Sequence, residues 1–214
     1  MNKLFNLDNP FFSFMSRAAD LMVLSILWIV CCLPVVTAGA STVALYYVTL
    51  KMAKNEESMI VKSFFHAFRQ NLKQGIYLFL IFLAGGIICA FDFFFMSKVD
   101  SFFGAVTQAL FLVLGICFTT MMLFAFPLQA QFENTIRGTL KNAFILAFQK
   151  VRNMGCILGL NLLPTVLLFL PLQLFLKLLP VMIAFVPATI AYLCSVQFKK
   201  IFEPLVSTKE NKHD

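Results

Sequence analysis

The chain has 214 residues, of which 60% are hydrophobic and only 13% charged, with 27 Phe and a formal net charge of +7. A water-soluble domain carries roughly 25% charged residues to cover its core. Here the apolar residues also fall in long blocks, giving a mean hydropathy of +0.87. Together these exclude disorder, a soluble enzyme and a small secreted module. What they predict is an all-α fold: a polytopic transmembrane helix bundle, residues 1–214 forming a single integral membrane domain.

A helix needs roughly 20 mostly apolar residues to cross the hydrocarbon. Five stretches meet this requirement, approximately 21–46, 76–95, 103–126, 156–175 and 178–197. The first belongs to an apolar run reaching Leu50, about 45 Å long as one helix, and it contains Leu33-Pro34-Val35-Val36-Thr37-Ala38-Gly39. The preferred reading is one span kinked there. The alternative is a break that lets the segment dip into the membrane and return, since irregular backbone at membrane depth is tolerated when protein buries it. Ala38-Gly39-Ala40 has the small-x-small form of a signal cleavage site. Cleavage would leave the basic segment after Lys51 on the outer face, so the run is read as retained.

Two cytoplasmic amphipathic helices are predicted between the spans. The first, about 57–74, has Val61, Phe65, Phe68 and Leu72 at helical spacing with Phe64 beside them, and Lys62, Arg69 and Lys73 off that stripe. The second, about 136–153, sets Leu140, Phe144, Phe148 and Val151 against Lys141, Lys150 and Arg152. Such helices lie in the interface and meet anionic headgroups, or present a docking surface to another protein. Phe64, Phe65, Phe68, Arg69, Phe144 and Phe148 are thus the candidate lipid or partner contacts. Near the C-terminus a tight hairpin is expected around Lys177, between Pro171 and Pro180.

Thirteen of the 17 basic residues lie in three segments, 51–75, 127–155 and the C-terminal tail. Lys- and Arg-rich segments stay on the cytoplasmic side, so five spans place the C-terminus inside and the N-terminus outside. Lys3 and Arg17 fit that arrangement poorly. The charge distribution follows the membrane, so the positive balance is no sign of nucleic acid. A shift of 80 positions also brings 63–75 onto 143–155, suggesting that span, amphipathic helix and span occur twice before a fifth span.

Chemistry is sparse. The six Cys lie in or beside apolar runs, where a thiol acts as a small hydrophobe. Two histidines, no Gly-rich phosphate loop, no metal motif and no triad point to a protein that is not an enzyme and takes no cofactor or metal. Ionisable or amide side chains in spans are the usual pointers to function, which singles out Asp20, Asp92 and Asn161. Asp20 is also expected to pair with Arg17 on its own helix, and Asn161 to hydrogen-bond a neighbouring helix. Pro34, Gly39 and Ser41 are candidates through the break they mark.

Arg17-Ala18-Ala19-Asp20-Leu21, then Leu33-Pro34-Val35-Val36-Thr37-Ala38-Gly39-Ala40-Ser41-Thr42, Ala44-Leu45-Tyr46-Tyr47 and Lys51, resemble the signature of the YesL family of uncharacterised bacterial membrane proteins. Ser63-Phe64-Phe65 and Phe68-Arg69-Gln70-Asn71 resemble its next block. The resemblance covers about residues 5–95 and supplies no catalytic or binding residues. It implies a bacterial plasma-membrane protein and, because such proteins are often encoded beside sugar-uptake genes, an accessory role with carbohydrate transporters. The leading expectation is therefore a non-enzymatic protein acting on a transporter subunit or other membrane protein. The rival is a small-solute transporter or channel, with a site where the broken first run meets the span carrying Asp92.

Overall fold

The apolar run from Leu21 to Leu50 does not cross as one kinked helix. In the computed structural model of the chain, which describes residues 10–56, 59–96, 98, 101–132, 135–149, 151–166 and 172–210, it is two helices folded back on each other. Helix α1, Pro10–Cys32, ends at Leu33-Pro34, a 3-10 turn follows at Val35–Thr37, and α2 runs over Ala38–Lys54. The reason is local. Pro34 cannot donate a backbone hydrogen bond and disfavours helix at Leu33. The turn then satisfies its own polar groups, Thr37 Oγ1 donating to the carbonyls of Cys31 at 2.7 Å and Pro34 at 2.8 Å.

Two contacts show that α1 and α2 are antiparallel. Arg17, near the start of α1, donates to Asn55 Oδ1 at the end of α2 at 2.9 Å. Trp28, near the end of α1, reaches Thr42 at the start of α2 at 3.3 Å. The expected single span is thus corrected to a hairpin, the dip-and-return alternative, and Arg17 lies at the same end as Lys51 and Lys54. The poor fit of Arg17 to the charge rule disappears with that correction. Lys3 lies outside the described residues.

The remaining helices are α3 (Ile60–Gln70), α4 (Leu72–Met96), α5 (Phe102–Gln131), α6 (Ile136–Gln149), α7 (Val151–Val166) and α8 (Leu172–Glu210). Among the described residues the fold is all α-helical, and five helices are long and apolar enough to cross a membrane: Phe14–Cys32, Val35–Lys54, Leu72–Met96, Phe102–Gln131 and Phe175–Phe202. The chain is a multi-pass membrane protein.

The C-terminal hairpin also moves from its expected place. Helix α8 passes straight through Lys177 and Pro180, so the chain does not turn there; α7 ends at Val166, α8 starts at Leu172, and the residues between, Pro171 among them, lie outside the described residues. Lysine is a good helix former and does not break a helix by itself. The stretch expected as a span over 156–175 is therefore divided between α7 and the start of α8. Within α8, Pro187 removes one backbone donor and crowds its own helix. The next N–H, of Ala188, is bonded by the buried Ser25 Oγ of α1 at 3.2 Å, the kind of side-chain compensation that makes proline tolerable in a membrane helix.

Helix α2 sits at the centre, packed against α1, α3, α4, α5 and α8. Eleven of its residues from Gly39 to Met52 are buried. It runs parallel to α8 in a fixed register: Thr49 pairs with Ser195 at 2.7 Å, and Lys199 Nζ bonds the Ala53 carbonyl at 3.3 Å, the same offset in each case. Helices α4 and α5 form an antiparallel pair, with Phe82 against Phe118 at 5.1 Å between ring centroids and Gln74 bonded to Gln129 near the other end. Their upper parts, including Phe91, Phe94, Phe102 and Phe103, are exposed, as lipid-facing surfaces must be. The order α2-α3-α4 recurs as α5-α6-α7 at the 80-residue shift, with α3 packed on α2 as α6 is on α5, although α7 has 16 residues against 25 in α4.

Helices α2 and α4 approach closely at two glycines. A Cβ added at Gly39 would overlap the Gly75 carbonyl, and one added at Gly75 would lie 2.6 Å from Ala40 Cα. Small residues let two backbones meet this closely where lipid provides no hydrophobic drive between helices.

Two outcomes follow. In a background lacking the native cysteines, Ser16→Cys and Glu56→Cys should react with an impermeant thiol reagent from the same side of the membrane; labelling from opposite sides would restore the single kinked span. Gly39→Leu should destabilise the detergent-solubilised protein by about 1–3 kcal/mol, whereas Gly86→Leu, where an added Cβ meets nothing within 4 Å, should leave the melting temperature nearly unchanged.

Candidate functional site

Polar groups inside the bundle gather in two places. The first lies between α8 and the helices around it. Besides the Thr49–Ser195 pair, Asn161 of α7 donates to its own Ile157 carbonyl at 2.8 Å and to Cys194 Sγ at 3.5 Å. Every buried polar side chain here is uncharged, so the cluster has the means to hold helices together. Ser41 differs: its Oγ is the one buried side-chain oxygen or nitrogen among the described residues without a hydrogen-bond partner.

The second gathering centres on Gln129 of α5, which is buried. Its amide nitrogen donates to Gln74 of α4 and, at 3.5 Å, to Asn71 between α3 and α4. Its carbonyl accepts from Thr139 of α6 at 2.7 Å. One glutamine thereby ties both amphipathic helices to the spans. Nearby, Lys54 Nζ reaches Gln131 at 3.2 Å, so the ends of α2 and α5 meet at the basic end of the molecule.

That end also carries two adjoining clefts around α3. One, about 790 Å³, lies between α1, α2 and α3, with Asp20, Lys51, Glu56 and Lys62 as the charged residues among its described lining. The other, about 1090 Å³, lies between α2 and α3 and has Lys51, Lys62 and Arg69 with His66, and no acidic group among its described lining residues. The Lys51 ammonium stands over the Tyr47 ring, 4.6 Å from its centroid, a cation–π contact.

The residues singled out from the sequence are scattered by the fold. Asp20 faces the smaller cleft, and Arg17, one turn before it on α1, bonds Asn55. Pro34 is exposed at the turn, while Gly39 and Ser41 are buried in the first turn of α2. The turn meets α4 at its start, near Gly75; Asp92 lies roughly 25 Å farther along that helix. The broken run and Asp92 are therefore not brought together.

The amphipathic stripes need correction as well. In α3, Phe64 is fully buried and stacks on Phe68 at 6.3 Å. Phe64 and Ala67 face the protein's own core, so Phe64 has no surface left for a lipid or partner; Phe68 packs against that core and is half-buried. Phe65 and Arg69 stay exposed. In α6, Thr139, Ala143, Leu146 and Ala147 are buried, which leaves Phe144 and Phe148 on the outer face, 53% and 54% exposed and 4.8 Å apart between ring centroids. Sequence reasoning missed the Gln129 hub and the clefts. Gln74 and Gln129, amides at the ends of apolar stretches, were the available signal for the first.

With this geometry in view, comparison with known proteins adds one finding. Residues 21–93 match a family model described as "Protein of unknown function, DUF624". The match takes in α1 from Leu21, the turn, α2, α3 and most of α4, which is the part of the fold organised around α2. No curated protein and no solved structure matches the chain. The match supports an uncharacterised family, and the narrower resemblance to YesL proteins stays an expectation.

Gln129→Leu should destabilise the protein by about 1–3 kcal/mol, because Thr139, Gln74 and Asn71 all lose a partner. Asn161→Leu, which mainly frees a carbonyl of its own helix and a thiol, should cost about 0.6 kcal/mol. Melting temperatures in one detergent separate the two.

Proposed function

We propose that the protein is a non-enzymatic accessory or regulatory component of a bacterial plasma membrane, acting through its basic end on another membrane protein. The positive-inside rule gives this end, and with it the C-terminus, a cytoplasmic location. The partner class is a carbohydrate uptake system, which rests on the family resemblance in residues 5–95. Neither a cofactor nor nucleic acid enters this reading.

The observation that carries it is the outer face of α6. An amphipathic helix held to the body by Thr139 and three small or aliphatic residues presents Phe144 and Phe148 side by side. Adjacent aromatic anchors on a rigid helix are what a partner's groove takes up. The transporter reading draws less support, because no charged residue is buried among the described residues and Asp92 stands apart from the broken run.

Affinity purification from native membranes in mild detergent should recover a transporter subunit, and deletion should slow sugar uptake. Phe144→Ala with Phe148→Ala should release that subunit without lowering the melting temperature of the purified protein. A protein that runs alone and whose loss leaves uptake unchanged would sink the proposal. Solute movement by the purified protein in liposomes, altered by Asp92→Asn, would favour the transporter instead.

A further inference from the structure

The larger cleft calls for a ligand of definite chemistry. Lys62, His66 and Arg69 are spaced four and three residues apart on α3, so they form one stripe down a single helix face. Lys51 faces that stripe from the last turn of α2, its ammonium held over the Tyr47 ring. Three permanent cations from two helices thus converge on about 1090 Å³ with no carboxylate among the described lining residues, and the nearest described carboxylates, Asp20 and Glu56, line the adjoining cleft that shares Lys51 and Lys62. Two further side chains of the same cleft are apolar and exposed, Met59 at 78% and Phe65 at 39%.

We propose that this cleft binds an anionic phospholipid, with the lipid phosphate among Lys51, Lys62 and Arg69 and the upper acyl chain against Met59 and Phe65. An arginine fork can hold two phosphate oxygens, while the lysines act as point charges. Each cation near an anionic membrane surface adds to the attraction. A zwitterionic lipid would bring a quaternary ammonium into the same ring of cations and is disfavoured for that reason. A free phosphate ion would satisfy the cations but leave the two apolar side chains in water. The protein is multi-pass, so the lipid is always at hand. The site is independent of the α6 surface and of any protein partner.

The test uses the full-length protein in an uncharged detergent, with bound lipid counted by native mass spectrometry. Phosphatidylglycerol, phosphatidylcholine and inorganic phosphate are titrated in parallel. Phosphatidylglycerol should bind at several-fold lower concentration than phosphatidylcholine, and equimolar phosphate should not displace it. Lys62→Gln with Arg69→Gln changes two exposed residues, and should weaken phosphatidylglycerol binding roughly tenfold or more at an unchanged melting temperature. Lys141→Gln on α6 should leave it intact. Equal binding of the two lipids, or undiminished phosphatidylglycerol binding by the double variant, would overturn the proposal. Displacement by equimolar phosphate would overturn the lipid assignment and leave a soluble anion in its place.

Discussion

Apolar helices gain nothing from leaving lipid for one another unless their surfaces fit closely. The fold depends on α2 meeting that condition. Its first turn is Ala38-Gly39-Ala40-Ser41, and this allows α4 to approach until backbone touches backbone at Gly75. Larger residues follow, where α2 instead meets aromatic neighbours: Tyr46 lies edge-on to Phe198 at 6.2 Å, and Phe198 in turn meets Phe124 and Phe202. The central helix is thus small where it must be crossed and large where space must be filled. The family match spans this part of the chain.

The reversal at Leu33–Thr37 makes that centre possible. A single kinked span would expose one face of α2 to lipid along its length. Folding back places α1 against it and brings the end of α2 to Arg17 and Lys199, which respectively bond Asn55 and the Ala53 carbonyl. Cations at a helix C-terminus are favourable both as hydrogen-bond donors and against the helix dipole. Asn55 adopts a left-handed conformation there, φ 57°, which ends the helix.

Composition and block length showed an all-helical membrane protein because burying or exposing apolar surface is a bulk property that a sequence carries openly. The two misplaced turns show where that ends. Pro34 and Pro180 are both prolines in apolar runs, yet the chain reverses at the first and continues through the second. The difference lies in what surrounds each, such as the Thr37 hydroxyl at the first turn, and spacing does not record it. Phe64 and Phe65 make the same point at a single step: periodicity finds an apolar stripe, while the position of α2 decides which of two adjacent rings is buried. The candidate sites were less legible still. The cations of the larger cleft were visible as loop charges, but their convergence depends on α3 lying along α2.

Helix α8 has 39 residues, about 58 Å of helix, against roughly 30 Å of hydrocarbon. It is nearly twice as long as that hydrocarbon is thick. Thr49–Ser195 and Lys199–Ala53 pin it to α2 at two points just over one turn apart, so α8 cannot slide to suit a thinner or thicker bilayer without breaking both. Mismatch must then be met by tilt of the pinned pair as one body. A change in membrane thickness would reach the basic end as a rotation of that end relative to the membrane plane.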